Sequence, residues 1–307
     1  MADGAGHRDT FPVVQQVGTE NYPGGVYRVA ARVPAEGLFV GSAIFHYLGP
    51  AFAVLLFARV EPLGVAWLRI LAAAALFALW CHPWRAFRAL DRAGRRTVVA
   101  MGLVLGAMNP CFYVAIDRLP LGTVAAIEFL PVIALAALGA RTRRNALALL
   151  SASAGVYVLT DVRLEGDTLG MAFAFANAGL FAIYILLAHR LANDRGTGGI
   201  EGLAGAMLVA AVAALPVGAW DAAPAFVDPV ALGAAVGVGI ASSVIPYVCD
   251  QLAMARMARS TYATLVSLLP ATATVIGLVV LAQVPAPIEV LGVGLVVVGV
   301  ALRRDAR

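Results

Sequence analysis

Two ionisable side chains lie deep inside apolar stretches. Glu128 stands within GTVAAIEFLPVIALAALG (122–139), and Arg69 stands within GVAWLRILAAA (64–74). A carboxylate in such a place can bind an ammonium group or hold a proton, and a guanidinium can bind a carboxylate through two hydrogen bonds. The pair therefore predicts either a ligand clamp or a structural salt bridge between two segments of the fold.

The composition indicates that these segments lie in a lipid bilayer. Hydrophobic residues make up 61% of the 307 positions and charged residues only 13%, and the mean hydropathy is +0.87. Soluble domains carry nearer a quarter charged residues. Nothing in the chain is left over for a soluble catalytic domain, and the sequence lacks HExxH, GxSxG and P-loop motifs. We therefore expect a membrane protein that is not an enzyme and needs no cofactor.

The apolar segments predict an all-α polytopic membrane protein with ten transmembrane helices, since each segment is close to the length that crosses a bilayer. Glu128 and Arg69 both lie about seven residues into their helices, roughly 10 Å deep at 1.5 Å per residue, and both helices enter from the same side. The two side chains are therefore expected at the same depth. The predicted spans are 36–57, 62–80, 97–117, 121–140, 145–161, 168–188, 200–219, 230–256, 261–282 and 286–302.

The distribution of arginine predicts the orientation. The chain has no lysine, and 18 of its 22 arginines fall in the tail or in segments that follow even-numbered spans, against Arg59, Arg118 and Arg163 on the other side. By the positive-inside rule both termini are cytoplasmic in a cell membrane. The basic charge is thus a sign of topology, and nucleic-acid binding is not expected because no basic patch is interleaved with aromatic residues.

The N-terminal region and the cysteines carry no further chemistry. Residues 1–35 are rich in Gly, Pro and Gln and lack the apolar core of a signal peptide, so we expect a flexible cytosolic tail. Cys81, Cys111 and Cys249 are odd in number and form no CxxC pair. Neither a disulfide framework nor a metal site is expected.

The chain also repeats itself. AIEFLPVIA (126–134) aligns with LVSLLPATA (265–273), which places Pro131 over Pro270, and Pro110 has a near counterpart in Pro246. Because five spans are an odd number, a second set must start from the opposite side of the membrane. We therefore expect two inverted five-helix repeats, 36–166 and 167–307, with the four helix-breaking prolines in the walls of a central cavity.

Two longer stretches resemble a known family. MNPCFYVAIDRLPLGTVAAIEF (108–129) and SSVIPYVCDQLAMARMARSTYATLVSLLPATATVIGLVVL (242–281) are similar to the EamA-type branch of the drug/metabolite transporter superfamily. Pro120-Leu121-Gly122 followed by Glu128-Phe129 is most similar to the bacterial threonine/homoserine exporters. The resemblance covers about residues 36 to 302 and implies a ten-helix exporter. This chain has Leu269 and Ala282-Gln283 where many relatives have acids.

Several more polar residues lie in the predicted spans. Asp250 follows Pro246 and is either a proton-linked group or a side chain that reaches back to the interface. His46 can titrate near neutral pH or serve as a packing group. The neutral polar residues, each a candidate for ligand contact or for helix association, are Asn109, Tyr113, Asn177, Tyr184, Tyr247, Gln251, Thr264 and Ser267.

These features predict a secondary transporter that exports a small metabolite, most simply an amino acid, by alternating access coupled to protons. Arg69 at the depth of Glu128 favours a zwitterion. One alternative is an exporter of hydrophobic cations or drugs, for which Glu128 alone would matter. An alternative of another class is a membrane scaffold or lipid-binding subunit whose buried charges are only structural.

Overall fold

The computed structural model describes residues 33–139, 142–164, 167–193, 199–254 and 268–302, and the regular structure within these ranges is helical throughout. The helices are α1 (Ala35–Leu56), α2 (Pro62–Cys81), α3 (Pro83–Ala89), α4 (Arg92–Arg118), α5 (Leu121–Gly139), α6 (Arg143–Leu164), α7 (Thr168–Asn193), α8 (Gly199–Ala222), α9 (Pro229–Gly239), α10 (Ile245–Met254), α11 (Leu269–Leu281) and α12 (Pro287–Leu302). A 3₁₀ turn (Ala223–Phe226) follows α8, and a π-turn (Ile240–Val244) joins α9 to α10.

Local sequence accounts for where the helices begin. Asp91 caps α4 by accepting a hydrogen bond of 2.7 Å from the Gly94 N–H, so α4 starts before the expected residue 97. Asp228 caps α9 through the N–H groups of Val230 and Ala231. Proline at the first position of a helix costs no hydrogen bond, and both α2 and α9 begin with one.

Five of the described helices are long and apolar enough to cross a membrane: residues 35–56, 62–80, 92–118, 168–187 and 201–226. Shorter apolar helices follow at 121–131, 229–244, 269–281 and 287–302. The surface of the bundle is itself apolar, because large side chains such as Leu79, Leu150, Val212 and Val279 are exposed. Such a surface suits lipid and not water.

Helices of the first half pack against helices of the second. α6 packs along α12, α2 along α8, and α5 against α11. In addition, α4 contacts α7 and α8, while α1 contacts α9, the π-turn and α10. The two sets of helices are therefore interleaved, and side chains from both meet in the middle of the bundle.

Small residues allow the close contacts. A Cβ atom added at Gly155 of α6 would lie 2.5 Å from the carbonyl oxygen of Gly292 in α12, so the two backbones touch. Beside them Ser151 Oγ donates to the Leu295 carbonyl at 2.8 Å. Packing of this kind holds helices together in lipid, where no hydrophobic effect drives them to associate.

The two ends of the bundle differ in charge. The end at which α2 finishes and α4 begins carries the short helix α3 and five arginines between residues 85 and 96, and we call it the arginine-rich face. At the opposite face, Arg59 pairs with Asp228 at 2.8 Å and Arg118 pairs with Asp167 at 3.2 Å. Both ion pairs join a residue of the first half to a residue of the second.

The acids of these pairs are also helix caps. The backbone N–H of Ala231, together with the Arg59 guanidinium, holds the pKa of Asp228 below its usual range. The backbone N–H of Gly170 does the same for the pKa of Asp167, with Arg118 adding to the effect. Both carboxylates are therefore charged at neutral pH.

Candidate functional site

Arg69 ties α2 to two other elements. Its Nη1 donates to Asn109 Oδ1 of α4 at 2.7 Å, its Nε donates to Ser243 Oγ at 3.2 Å, and its Nη2 donates to the Ser242 carbonyl at 3.1 Å. The guanidinium carbon lies 5.6 Å from the ring centroid of Tyr113, which is within range of a cation–π contact. All of these partners are neutral.

The acceptor at Ser242 exists because of a proline four residues further on. In an α-helix the Ser242 carbonyl would accept from the N–H of residue 246, but Pro246 has none. The helix widens into the π-turn Ile240–Val244 at this point, and Arg69 supplies the missing donor. A π-turn inside a helix is frequent at functional sites.

The first helix comes very close to the same turn. A Cβ atom added at Gly49 of α1 would overlap Ser242 Cβ, so only glycine permits this approach. Nearby, Ser42 Oγ donates to the Pro246 carbonyl at 3.3 Å. Pro246 thus lacks a backbone donor and accepts, through its carbonyl, a side-chain hydrogen bond from α1.

Glu128 lies on α5 with a partner from the second half. Its side chain is buried, and its Oε1 accepts a hydrogen bond of 3.3 Å from Nδ2 of Asn177 on α7. This bond joins the two halves, as the bonds of Arg69 to the π-turn do. Glu128 and Arg69 are not joined to each other, because the ion pairs among the described residues are Arg59–Asp228 and Arg118–Asp167.

Three buried polar atoms near these residues lack a hydrogen-bond partner in the part of the chain that the structure describes. They are Tyr47 Oη, Tyr113 Oη and Asn177 Oδ1. Native proteins rarely leave buried polar atoms unsatisfied, and such atoms call for water or a ligand. Tyr113 contacts Arg69 and Asn177 contacts Glu128, so at least two of the three belong to the environment of the charged groups.

The remaining predicted site residues fall into three groups. His46 is half-buried on α1 with its ring edge-on to Tyr47 at 5.2 Å, and Tyr184 stacks on Phe181 at 6.0 Å in α7. Pro110, Pro131 and Pro270 lie in α4, α5 and α11. Tyr247, Asp250 and Gln251 belong to α10, but their side chains are outside the described part of the structure, as are Thr264 and Ser267 altogether.

Sequence reasoning missed Tyr47, Ser242 and Ser243. The signal for Ser242 was present, because a proline always frees the carbonyl four residues earlier. Tyr47 gave a weaker signal, since it adjoins His46 in an apolar helix and a tyrosine there is most often a packing group. Its unsatisfied hydroxyl emerges only from the packing.

Comparison with known proteins shows which proteins the chain is similar to. Residues 168–303 match the EamA-like transporter family. The resemblance inferred from the sequence is thereby confirmed. The chain is 29% identical over 278 residues to the threonine/homoserine exporter RhtA of Escherichia coli strain K12, an alignment that covers 90% of this chain and 92% of that protein. RhtA of Salmonella typhimurium strain LT2 is 28% identical over 272 residues, covering 88% and 90%.

The match to the EamA-like family over residues 168–303 and the long apolar helices together support a multi-pass membrane protein. The matched EamA-like region contains Asn177, Ser242 and Ser243, whereas Arg69 and Glu128 precede it. The two charges therefore come from the first half of the chain. Each is bonded to a group of the EamA-like second half.

Proposed function

We propose that the protein is a secondary exporter of a small zwitterion, an amino acid such as threonine or homoserine, and that Arg69 and Glu128 clamp its two charged ends. One observation carries the proposal. One side chain is a base and the other an acid, and among the described residues each is hydrogen-bonded only to neutral groups. A charge in the membrane interior costs several kcal/mol unless it is matched, and a zwitterion matches both.

The carboxylate of the substrate replaces the neutral partners of Arg69. Hydrogen bonds between a guanidinium and a carboxylate are charge-assisted and roughly twice as strong as those to a neutral acceptor. Arg69 now uses three of its N–H donors on an amide, a hydroxyl and a carbonyl. When Arg69 binds a carboxylate instead, its hydrogen bonds to the π-turn of the second half are released. Substrate binding can thereby move one half relative to the other.

The ammonium group of the substrate binds at Glu128. Among the described residues the buried Asn177 Oδ1 atom has no donor, and it belongs to the same amide that bonds to Glu128. A carboxylate and an amide oxygen together suit the three donors of an ammonium group. A cationic drug would bind only at Glu128, and the positive charge of Arg69 would repel it. The presence of both groups therefore favours a zwitterion over a hydrophobic cation.

Transport follows alternating access between two inverted five-helix halves. A two-fold axis in the membrane plane would relate α4 to α9–α10, α7 to α1 and α5 to α11. The contacts support this relation, because α1 packs on α10 as α7 packs on α4, and α1 packs on α11 as α7 packs on α5. The same axis would exchange the two members of each of three packed pairs, which are α2 and α8, α5 and α11, and α6 and α12.

The arginine-rich face is cytoplasmic in this proposal, and the ion pairs Arg59–Asp228 and Arg118–Asp167 hold the outer ends of the halves together. Outward release of substrate requires these contacts to open. Protons supply the energy if Glu128 alternates between binding the ammonium group and carrying a proton, since Arg69 is always charged.

Counterflow in proteoliposomes tests the proposal. Vesicles that contain the purified protein and unlabelled threonine or homoserine are diluted into labelled amino acid, and the label should accumulate inside faster than in protein-free vesicles. A membrane scaffold gives no such exchange. Accumulation of a labelled hydrophobic cation, with none of any amino acid, would overturn the choice of substrate.

A further inference from the structure

A strongly basic patch lies on the arginine-rich face, apart from the candidate site. Its guanidinium groups occur within twelve residues of the chain, on α3 and the first turns of α4, and all of the side chains are exposed. The arginines of this basic patch are Arg85, Arg88, Arg92, Arg95 and Arg96.

The patch has no carboxylate to neutralise it among the described residues. Asp91 is the one acidic residue between positions 82 and 98, and its Oδ1 is engaged with the Gly94 N–H. Glu201 lies in the first turn of the neighbouring helix α8 and makes no ion pair with the patch in the described structure. By contrast, Arg59 and Arg118 at the opposite face each have an aspartate.

The backbone of α3 is fixed at the edge of the bundle. His82 ends α2 in the left-handed conformation, with φ of 48°, which turns the chain away from the direction of the span. The Arg95 guanidinium then donates to the Arg88 carbonyl at 2.7 Å and lies 5.9 Å from the Phe87 ring. These contacts order the link between α3 and α4, and the other arginines of the patch have no ion pair with any residue that the structure describes.

An exposed tryptophan adjoins the basic patch. Trp84 is 45% exposed on α3, next to Arg85, and its ring is edge-on to His82 at 5.2 Å. Tryptophan is enriched at membrane–water interfaces, where its ring lies among the headgroups. The exposed ring and the adjacent guanidinium groups lie on the same short helix, an arrangement typical of a surface at the headgroup level.

We propose that Trp84 and the basic patch form a binding surface for anionic phospholipids, with the guanidinium groups on headgroup phosphates. Guanidinium and phosphate form paired, charge-assisted hydrogen bonds, which lysine cannot reproduce with the same geometry. Juxtamembrane arginines are attracted to anionic lipid in this way. The proposal does not depend on the transported substrate.

The test measures how much phosphatidylglycerol stays bound to the full-length protein. Detergent-solubilised protein is titrated with phosphatidylglycerol or phosphatidylcholine, with bound lipid counted by native mass spectrometry and the melting temperature followed in parallel. The wild type should retain phosphatidylglycerol preferentially and be stabilised by it. The R85Q/R88Q/R92Q variant should lose on the order of a hundredfold in apparent affinity for phosphatidylglycerol.

Two control variants show whether lipid retention depends on the arginines of the basic patch or on the positive charge of the arginine-rich face as a whole. R143Q/R190Q removes arginines elsewhere on the arginine-rich face and should leave retention unchanged, whereas R85K/R88K/R92K should keep part of it. In the wild type, the stabilisation by phosphatidylglycerol should fade at high salt because charge contacts are screened. Equal retention by R85Q/R88Q/R92Q and R143Q/R190Q, or stabilisation that salt does not weaken, would overturn the proposal.

Discussion

Arg69 and Glu128 carry opposite charges in the bundle interior, yet each is hydrogen-bonded to an asparagine and not to the other. Asn109 accepts from Arg69 at 2.7 Å, and Asn177 donates to Glu128 at 3.3 Å. A structural staple would have joined the two charges directly. Their separation leaves both able to take a charged partner, and this is the feature from which the transport proposal follows.

Replacing Glu128 with glutamine should abolish counterflow, or remove its dependence on pH, while leaving the protein folded. Glutamine keeps an acceptor for Asn177 but cannot hold a negative charge or exchange a proton. E289Q is the matched control, because Glu289 is also buried, with 3% of its surface exposed against 7% for Glu128, and its Oε2 accepts from the Ala286 N–H in the first turn of α12. Equal transport by wild type and E128Q at every pH, with a lower melting temperature, would restore the staple interpretation.

The unsatisfied tyrosine hydroxyls give a second prediction. Y47F and Y113F remove hydroxyls that have no partner among the described residues, so neither change should lower the melting temperature of the ligand-free protein. If a ligand or its water uses these groups, each variant should weaken binding several-fold. A thermal-shift titration with substrate separates the two effects. A loss of stability without any change in affinity would assign the hydroxyls to structure.

The stability that the Arg59–Asp228 ion pair gives to the fold should depend on pH in a defined direction. Because the folded-state pKa of Asp228 is lowered, its stabilising effect is present above the usual aspartate pKa and is lost as the pH falls through the folded value. D228N keeps the helix cap but not the charge, whereas D228A removes both, so D228A should have the lower melting temperature. The difference between wild type and D228N should be constant from about pH 5 to 8 and shrink below about pH 4. A difference that grows on acidification would contradict this account.

Comparison of the predicted spans with the observed helices shows which parts of the fold could be predicted from the sequence. Hydropathy placed α1 and α2 almost to the residue, since membrane thickness and helix rise leave little choice. It could not predict α3, which is seven residues long, or the division of span 8 into α9, the π-turn and α10. The periodicity of apolar residues does not reveal a single π-turn inside a helix.

In the candidate site, the sequence predicted some of the residues, whereas the contacts between them depend on the fold. The positions of Arg69 and Glu128 well inside their helices followed from counting residues, whereas the signal that Pro246 gives for a free carbonyl at Ser242 was overlooked. Which donor reaches that carbonyl depends on how α2 packs against α9 and the π-turn, and no local pattern encodes that packing. Asn177 was one of several polar residues of similar type, and only the fold brings it to Glu128.

Single-cysteine labelling tests the orientation. In a cysteine-free background, residues introduced beside Arg92 and Arg143 should react with impermeant reagents only after the cytoplasmic side is opened. Residues beside Asp167 and Asp228 should react in intact cells. Reversed labelling would place the arginine-rich face outside and would reverse the proposed sidedness of the ion pairs.

The most direct test of the clamp compares ligands that lack one charged group. Affinities of threonine, its decarboxylated amine and its deaminated acid are measured by thermal shift or calorimetry for wild type, R69K and E128Q. R69K should weaken threonine and the acid by about tenfold and leave the amine nearly unchanged, because lysine lacks the bidentate geometry of arginine. E128Q should weaken threonine and the amine and leave the acid unchanged. If each variant weakened all three ligands equally, or none of them, Arg69 and Glu128 would not be the two ends of a zwitterion clamp.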